Sequence, residues 1–264
     1  MMLQEKIQAA EAGDVNAMLA LGEYYLNNER EKDPDKAVVW YEKAAECGHL
    51  TGMINAADLA AKDAMINEMM KSFTEAYQSW VKAAYWAGKA KDMLSSNQAK
   101  TAFEPQALAS LYQSVNHYYQ EAVYGAASIA HAIQKDFEKA YNFLNKNDVI
   151  SSTRNHLLKG CCLFRMAVRR DERTCGTMLG SAYLELSNMI TDSEYLKNKE
   201  RTTLEEAIFV ESVSRLAIIF NNGLPGMLKA EPQKARNLFK ICIDYAANQN
   251  SKNALIGEYN RICG

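Results

Sequence analysis

Proline, histidine and long apolar runs are all scarce in this chain, and each shortage excludes a class of protein. Four prolines in 264 residues exclude a proline-rich linker. Apolar residues make up 48% of the chain, which is enough to form a buried core. No apolar run approaches the roughly 20 residues that a membrane-spanning helix needs. The formal net charge of −2 gives no strong attraction to nucleic acid or to an anionic membrane. The composition therefore predicts an ordered protein with no nucleic-acid or membrane partner.

Motifs for catalysis and cofactor binding are also missing. No cysteine pair has the CxxC spacing of a zinc or redox site, and the turn at residues 223–226 lacks the Lys-Ser/Thr of a phosphate loop. A Ser–His–Asp array could assemble in space, but no local motif supports one. We therefore expect no catalytic residue, no cofactor and no metal. The six cysteines are expected to be free thiols, and the N-terminus lacks the basic and apolar segments of a secretory signal. Together these features predict a cytoplasmic protein.

The chain instead contains a repeated helix–turn–helix pattern, which is clearest over residues 13–49. Gly13 fits the left-handed conformation that closes a preceding helix. Apolar residues then recur every four positions and form one stripe of a helix: Ala17, Leu21 and Tyr25. Asp33 and Pro34 fit the N-cap and first position of a second helix. Two such helices leave their apolar stripes uncovered, so stacking on the next pair is expected to stabilise them.

Further copies of this unit follow along the chain. The segment that starts at Gly48 aligns with the one that starts at Gly13, at an offset of 35 residues. Its second helix matches at an offset of 39, which predicts a loop four residues longer. Ser72 and Glu75 predict a capping box at the start of that helix. Looser copies lie at residues 136–144, 179–183, 231–239 and 256–259, and the last of these predicts a final capping helix.

These residues resemble the Sel1-like repeat family, a relative of the tetratricopeptide repeats. The matching pattern is Leu-Gly-x-x-Tyr at residues 21–25, Asp-x-x-Lys-Ala at 33–37, then an aromatic pair, Ala-Ala and Gly-His at 48–49. The resemblance is strong over residues 1–90 and 213–260. It implies an all-α fold, a right-handed superhelix of antiparallel helix pairs that forms a tetratricopeptide-like α-solenoid.

The middle of the chain departs from the pattern. We expect one solenoid over residues 1–264, with regular repeats in 1–90, an irregular middle in 91–205, and a regular repeat with a capping helix in 206–264. An added helix is predicted at residues 106–124. A split of the chain near residues 148–153 is the alternative.

The resemblance implies a scaffold or adaptor that binds a protein or peptide and performs no chemistry. In such solenoids the first helix of each pair lines the concave surface, where peptides bind. The side chains expected to project toward that surface are Glu23, Asn27, Asp58, Lys62 and Asn221.

Two other readings of the function stay open. The irregular region 148–205 could carry a ligand-binding or enzymatic element, because three of the six cysteines and a group of arginines gather there. Those arginines are Arg165, Arg169, Arg170 and Arg173, which could bind a phosphate or an acidic peptide or form an ordinary solvated helix end. The resemblance alone also allows recognition of a glycan fragment.

Overall fold

The computed structural model describes residues 3–146, 148–169 and 172–264, without the side chains of residues 172–174, 190 and 191. The chain is 81% helical, with 14 α-helices and no strands in the part described, so the predicted all-α class is confirmed. Contacts divide the chain into two compact units, residues 1–126 and 127–264. Residues 148–153, the alternative place for a split, lie inside the second unit. The single solenoid over the whole chain stays a prediction.

The first unit is a series of helices joined by short connections. In order these are α1 (Leu3–Glu11), α2 (Val15–Asn27), α3 (Pro34–Glu46), α4 (Leu50–Met69), α5 (Phe73–Ser95), α6 (Asn97–Ala102) and the larger part of α7 (Pro105–Ile129). Each of the first five packs against the next one, as a stack of helix pairs requires.

The first repeat forms as the sequence predicts, because its helix ends are specified locally. Gly13 has a φ of +98°, which closes α1, and the Asp14 carboxylate accepts hydrogen bonds from two backbone N–H groups at the start of α2. Asp33 caps α3 in the same way, and Pro34 occupies the first turn.

Small residues let helices approach closely, both within a pair and between neighbouring pairs. A Cβ added at Gly22 would lie 2.7 Å from the Tyr41 ring, between α2 and α3. One added at Gly52 would lie 2.7 Å from the backbone nitrogen of Ala45, between α3 and α4. The contact at Gly52 is with backbone, which cannot move aside as a side chain can. This glycine therefore fixes the distance between the first repeat and the second.

Replacing Gly52 with Ala is expected to lower the free energy of unfolding by about 1–3 kcal/mol, because the new methyl group overpacks the α3–α4 contact. That loss exceeds the roughly 1 kcal/mol by which Ala favours a helix over Gly. Urea unfolding followed by tryptophan fluorescence measures it in this unit, since all three tryptophans lie there. The exposed neighbour Thr51→Ala is the control, with little change expected. A Gly52→Ala variant as stable as the native chain would contradict the packing described.

The second repeat differs from the sequence prediction in two respects. Helix α4 has 20 residues against 13 in α2, because the four additional residues and three more that correspond to the first loop are all helical. The predicted longer loop is therefore wrong, since only residues 70–72 separate α4 from α5. Residues 62–69 contain no Gly or Pro that would end the helix earlier. The Ser72 side chain makes no capping hydrogen bond, so the predicted capping box is also wrong. A capping box forms instead between Thr202 and Glu205.

The second unit contains the remaining helices. The end of α7 continues into a π-helical turn (Ala130–Gln134), followed by α8 (Phe137–Leu144), α9 (Thr153–Ala167), α10 (Glu172–Thr191), α11 (Ser193–Lys197), α12 (Thr203–Asn222), α13 (Pro232–Tyr245) and α14 (Gln249–Cys263). The added helix predicted at 106–124 is the longer α7. The predicted final helix is α14.

Helix α12 is the centre of the second unit. It packs against α9, α10, α13 and α14, which explains why it is buried on several sides. Phe209 on α12 and Phe239 on α13 are fully buried and form the core with their neighbours. Among the described residues, no helix combines the length and apolar character needed to cross a bilayer.

Candidate functional site

The first candidate site is a polar strip between α2 and α4 in the first unit. The Tyr41 ring of α3 packs against Gly22 of α2, its phenol is hydrogen-bonded to the Asn55 side chain of α4, and it is near enough to the Glu23 carboxylate to sense its charge. Burial raises the pKa of the Tyr41 phenol, the Glu23 charge raises it further, and the Asn55 hydrogen bond partly offsets both. Glu23 of α2 and Asn55 of α4 therefore both act on the phenol of one buried ring carried by α3.

The predicted binding residues lie on the exposed sides of these helices. Glu23 and Asn27 are exposed on α2, and Lys62 is exposed on α4. Lys62 Nζ lies 2.6 Å from the Asp58 carboxylate one turn earlier, so the structure brings those two residues together as an ion pair. Asn221 belongs to the second unit, where its amide donates to the side chain of Asn222.

An exposed apolar group continues the same side of α4, which sequence reasoning missed. Met65 is 57% exposed, Ile66 is 55% exposed, Met69 is 84% exposed and Met70 is 70% exposed. The positions Asn55, Asp58, Lys62, Met65 and Met69 follow at intervals of three or four and so share one stripe of the helix. We call this stripe, together with Glu23 and Asn27, the α2–α4 face. The four-residue difference between the two offsets of the second repeat was the available signal, because it marks a longer segment before the second helix that contains these apolar residues.

The second unit contains a buried polar cluster centred on Glu211. Its carboxylate lies 3.0 Å from His131 Nε2, 2.6 Å from Arg165 Nε and 3.2 Å from the Arg215 guanidinium. Burial by itself raises the pKa of Glu211, but the His131 hydrogen bond and the nearby positive charges outweigh it and lower the pKa to about 2. The cluster links the π-helical turn, α9 and α12.

Three side chains of this cluster could serve as metal ligands. One ligand atom each of His131, Cys161 and Glu211 lies within 4.8 Å of the others. Two guanidinium groups, however, already neutralise the Glu211 carboxylate and oppose a divalent cation. Burial also raises the pKa of the Cys161 thiol, which disfavours the thiolate that binds metal. The arrangement therefore fits an ion-pair network better than a metal site.

The arginine group at 165–173 does not form a free basic strip in the part that the structure describes. Arg165 is paired with Glu211, and the Arg169 guanidinium lies 4.9 Å from the centre of the Phe137 ring. Arg170 and the side chain of Arg173 lie outside the described residues.

A hydrogen-bonded row of three side chains lies at the start of α9. Ser151 Oγ is 2.6 Å from His156 Nε2, and His156 Nδ1 hydrogen-bonds the Glu185 carboxylate from α10. No local motif indicated this row, because Glu185 stands 29 residues after His156.

The comparison with known families agrees with the helix-pair architecture. A family model described as Sel1 repeat matches residues 15–49, which contain α2 and α3, and residues 210–241, which contain most of α12 and α13. No curated protein matches the chain. Sel1 repeats are tetratricopeptide-like helical solenoids that generally mediate protein–protein interaction and are typically non-catalytic scaffolds. These two matches support the Sel1-like repeat family for this chain, over residues 15–49 and 210–241.

Proposed function

We propose that this chain is a scaffold that binds a protein or peptide segment on the α2–α4 face. The observation that carries the proposal is the stripe along α4, where a polar section at Asp58 and Lys62 passes directly into exposed Met65 and Met69. Contiguous exposed apolar side chains with polar neighbours are typical of protein-binding surfaces. Methionine suits such a surface, because its flexible thioether adapts to different partner side chains.

The chemistry of this face indicates the kind of segment that would bind. The apolar end favours a partner with large apolar side chains, for example along one side of a helix. The Glu23 carboxylate and the Asp58–Lys62 pair at the polar end would then orient the segment through charged contacts. Binding of this kind needs no catalytic group on the α2–α4 face.

We also propose a contact residue in the second unit and a cellular compartment for the chain. Asn221 is a neighbour of the aligned positions in the last repeat, and we propose it as a contact residue of the second unit. The described cysteines are free thiols, which supports a reducing compartment and hence the cytoplasm.

A charge-matched pair of variants tests the binding face. The face variant changes four residues to Ala: Glu23, Asn27, Asp58 and Lys62. The control variant changes four exposed residues of α3 and α5 to Ala: Glu46, Glu75, Gln78 and Lys89. Each set removes two acids, one amide and one base. Proteins of the source cell retained by each immobilised chain are quantified by mass spectrometry.

We expect the face variant to retain a specific partner at least about tenfold less well than the native chain, a loss of roughly 1.4 kcal/mol in binding free energy. The control variant should retain that partner at the native level. Equal retention by the face variant, after circular dichroism has confirmed that both variants are folded, would contradict the assignment. The double variant Met65→Ser with Met69→Ser then tests whether the apolar end of the face contributes to binding.

A further inference from the structure

We propose that Ser151, His156 and Glu185 form a catalytic triad that hydrolyses small carboxylic esters. This inference goes beyond the scaffold role and does not depend on it. It takes up the reading in which the irregular region 148–205 carries an enzymatic element. All three residues lie in the second unit, away in sequence from the α2–α4 face.

The order of contacts is the one that nucleophilic catalysis by serine needs. The hydroxyl meets Nε2 of the imidazole at 2.6 Å, and the carboxylate binds Nδ1 on the opposite side of the same ring. A carboxylate on Nδ1 holds the imidazole in the tautomer whose Nε2 can accept the serine proton. It also stabilises the imidazolium that forms when that proton moves. Hydroxyl, base and orienting acid are therefore each in hydrogen-bond reach of the next.

Packing around the row holds its members in place. Helices α9 and α10, which carry His156 and Glu185, approach closely because a Cβ at Gly160 would lie 2.6 Å from Leu186. The buried Asn155 amide donates to the carbonyl oxygen of Ile150 at 2.8 Å and so fixes the backbone immediately before Ser151. Asn155 is a positioning residue in this arrangement.

Ser151 is more exposed to solvent than His156 and Glu185. Ser151 is exposed, so a substrate can reach its hydroxyl from solvent. The His156 and Glu185 side chains are each 25% exposed, which shields the proton-accepting pair while leaving the nucleophile accessible. Because the nucleophile lies on an open turn, the geometry points to an ester with an accessible carbonyl group rather than to a deeply enclosed substrate.

The amino end of α9 follows the nucleophile closely in the chain. The helix begins at Thr153, two residues after Ser151, and the N-cap Ser152 makes no side-chain hydrogen bond to it. The first N–H groups of a helix have no carbonyl partner within the helix and carry its positive dipole end. Such groups stabilise the negative oxygen of a tetrahedral intermediate.

Water is the only reactant that the reaction needs besides the ester. Ser151 Oγ bonds to the ester carbonyl carbon while its proton passes to His156 Nε2. The bond to the leaving alcohol oxygen then breaks, and Nε2 gives its proton to that oxygen, which leaves an acyl-serine. Water attacks the acyl carbon and gives a proton to Nε2, the bond to Oγ breaks, and Nε2 returns the proton to Oγ. Glu185 stays a carboxylate throughout.

Two probes test the triad on the full chain. A fluorophosphonate forms a bond between phosphorus and an activated serine Oγ with loss of fluoride, and 4-nitrophenyl acetate reports ester hydrolysis. We expect fluorophosphonate to label the native chain at Ser151, identified by mass spectrometry, and Ser151→Ala to abolish both labelling and hydrolysis. His156→Gln should slow labelling by about 10²–10⁴-fold, the usual contribution of a general base. Glu185→Gln should slow it as well, with the fold retained.

Matched controls separate this chemistry from surface reactivity. Ser152→Ala removes the neighbouring hydroxyl, which makes no cap hydrogen bond, and should label like the native chain. His117→Gln removes an exposed imidazole outside the triad and should hydrolyse the ester at the native rate. A native chain that is not labelled, or labelling and hydrolysis that survive in folded Ser151→Ala, would overturn the proposal. Neither outcome bears on the α2–α4 face, so the two proposals fail separately.

Discussion

Replacing Arg201 with Met is expected to lower the free energy of unfolding of the second unit by about 3–5 kcal/mol, because it leaves a charged carboxylate buried without its partner. Arg201 Nε and Glu206 Oε2 are 2.5 Å apart, and the two side chains are only 1% and 3% exposed. A carboxylate stranded in that position must stay charged in an apolar environment or take up a proton, and either costs stability.

The Arg201 guanidinium also joins three elements of the unit. It donates to the carbonyl oxygen of Tyr195 in α11 at 3.0 Å and to that of Tyr245 at the end of α13 at 2.8 Å. Glu206 in turn accepts a hydrogen bond from the backbone N–H of Ala247 at 2.8 Å. The variant therefore removes the donors of two helix-end carbonyl groups in addition to the ion pair.

Circular dichroism during urea unfolding measures this effect, together with hydrogen exchange in α12 and α13. Tryptophan fluorescence does not serve, because all three tryptophans lie in residues 1–126. The double variant Arg201→Met with Glu206→Leu should regain much of the loss, since no buried charge then remains. Arg261→Met, which breaks an exposed pair with Glu258, is the control and should change little. A loss below about 1 kcal/mol for Arg201→Met would contradict the buried pair.

Acid is expected to remove about 3 kcal/mol of stability from the second unit through Glu211, because its pKa falls from 4.5 when unfolded to about 2 when folded. A carboxyl group with a lowered folded pKa binds more protons in the unfolded chain as the pH falls. Its contribution is therefore fully present above pH 4.5 and is lost progressively as the pH falls toward 2. The physical cause is the hydrogen bond from His131 and the charges of Arg165 and Arg215.

The measurement is the free energy of unfolding of the second unit between pH 6 and pH 2.5 in the native chain and in Glu211→Gln. The Gln variant should be the less stable of the two at pH 6, and the difference between them should shrink as the pH falls. Glu194→Gln, at an exposed position in α11, is the control and should follow the native pH dependence. If native and Glu211→Gln chains lost stability in parallel, the role assigned to Glu211 would be wrong.

The sequence could predict the parts of the fold that are specified locally. Gly13 at a positive φ, Asp14 and Asp33 as N-caps, and Pro34 in a first turn each act within a few residues, so their spacing is visible in the chain. The length of α4 was not predicted correctly. The alignment showed four additional residues, but α4 is seven residues longer than α2, because no helix-breaking residue stops the helix before it also takes up part of the expected loop.

The clusters of the second unit could not be predicted for a different reason. Glu211 meets His131 across 80 residues and Arg165 across 46, and Glu185 meets His156 across 29. These side chains come into contact only when particular helices pack together with particular rotations about their axes. They lie in the region where the repeat pattern lapses, so the pattern does not predict that packing. Each of these residues taken alone resembles an ordinary surface charge or a helix-packing side chain.

Hydrogen exchange on the native chain, measured alone and with its retained partner bound, tests the central claim most directly. That claim is that the chain is a scaffold whose α2–α4 face holds another protein. We expect the partner to slow amide exchange in residues 15–27 and 50–69, where α2 and α4 lie, and to leave the exposed sides of α3 and α5 unchanged. Slowed exchange confined to α3, α5 or residues 127–264, with none in α2 or α4, would contradict it.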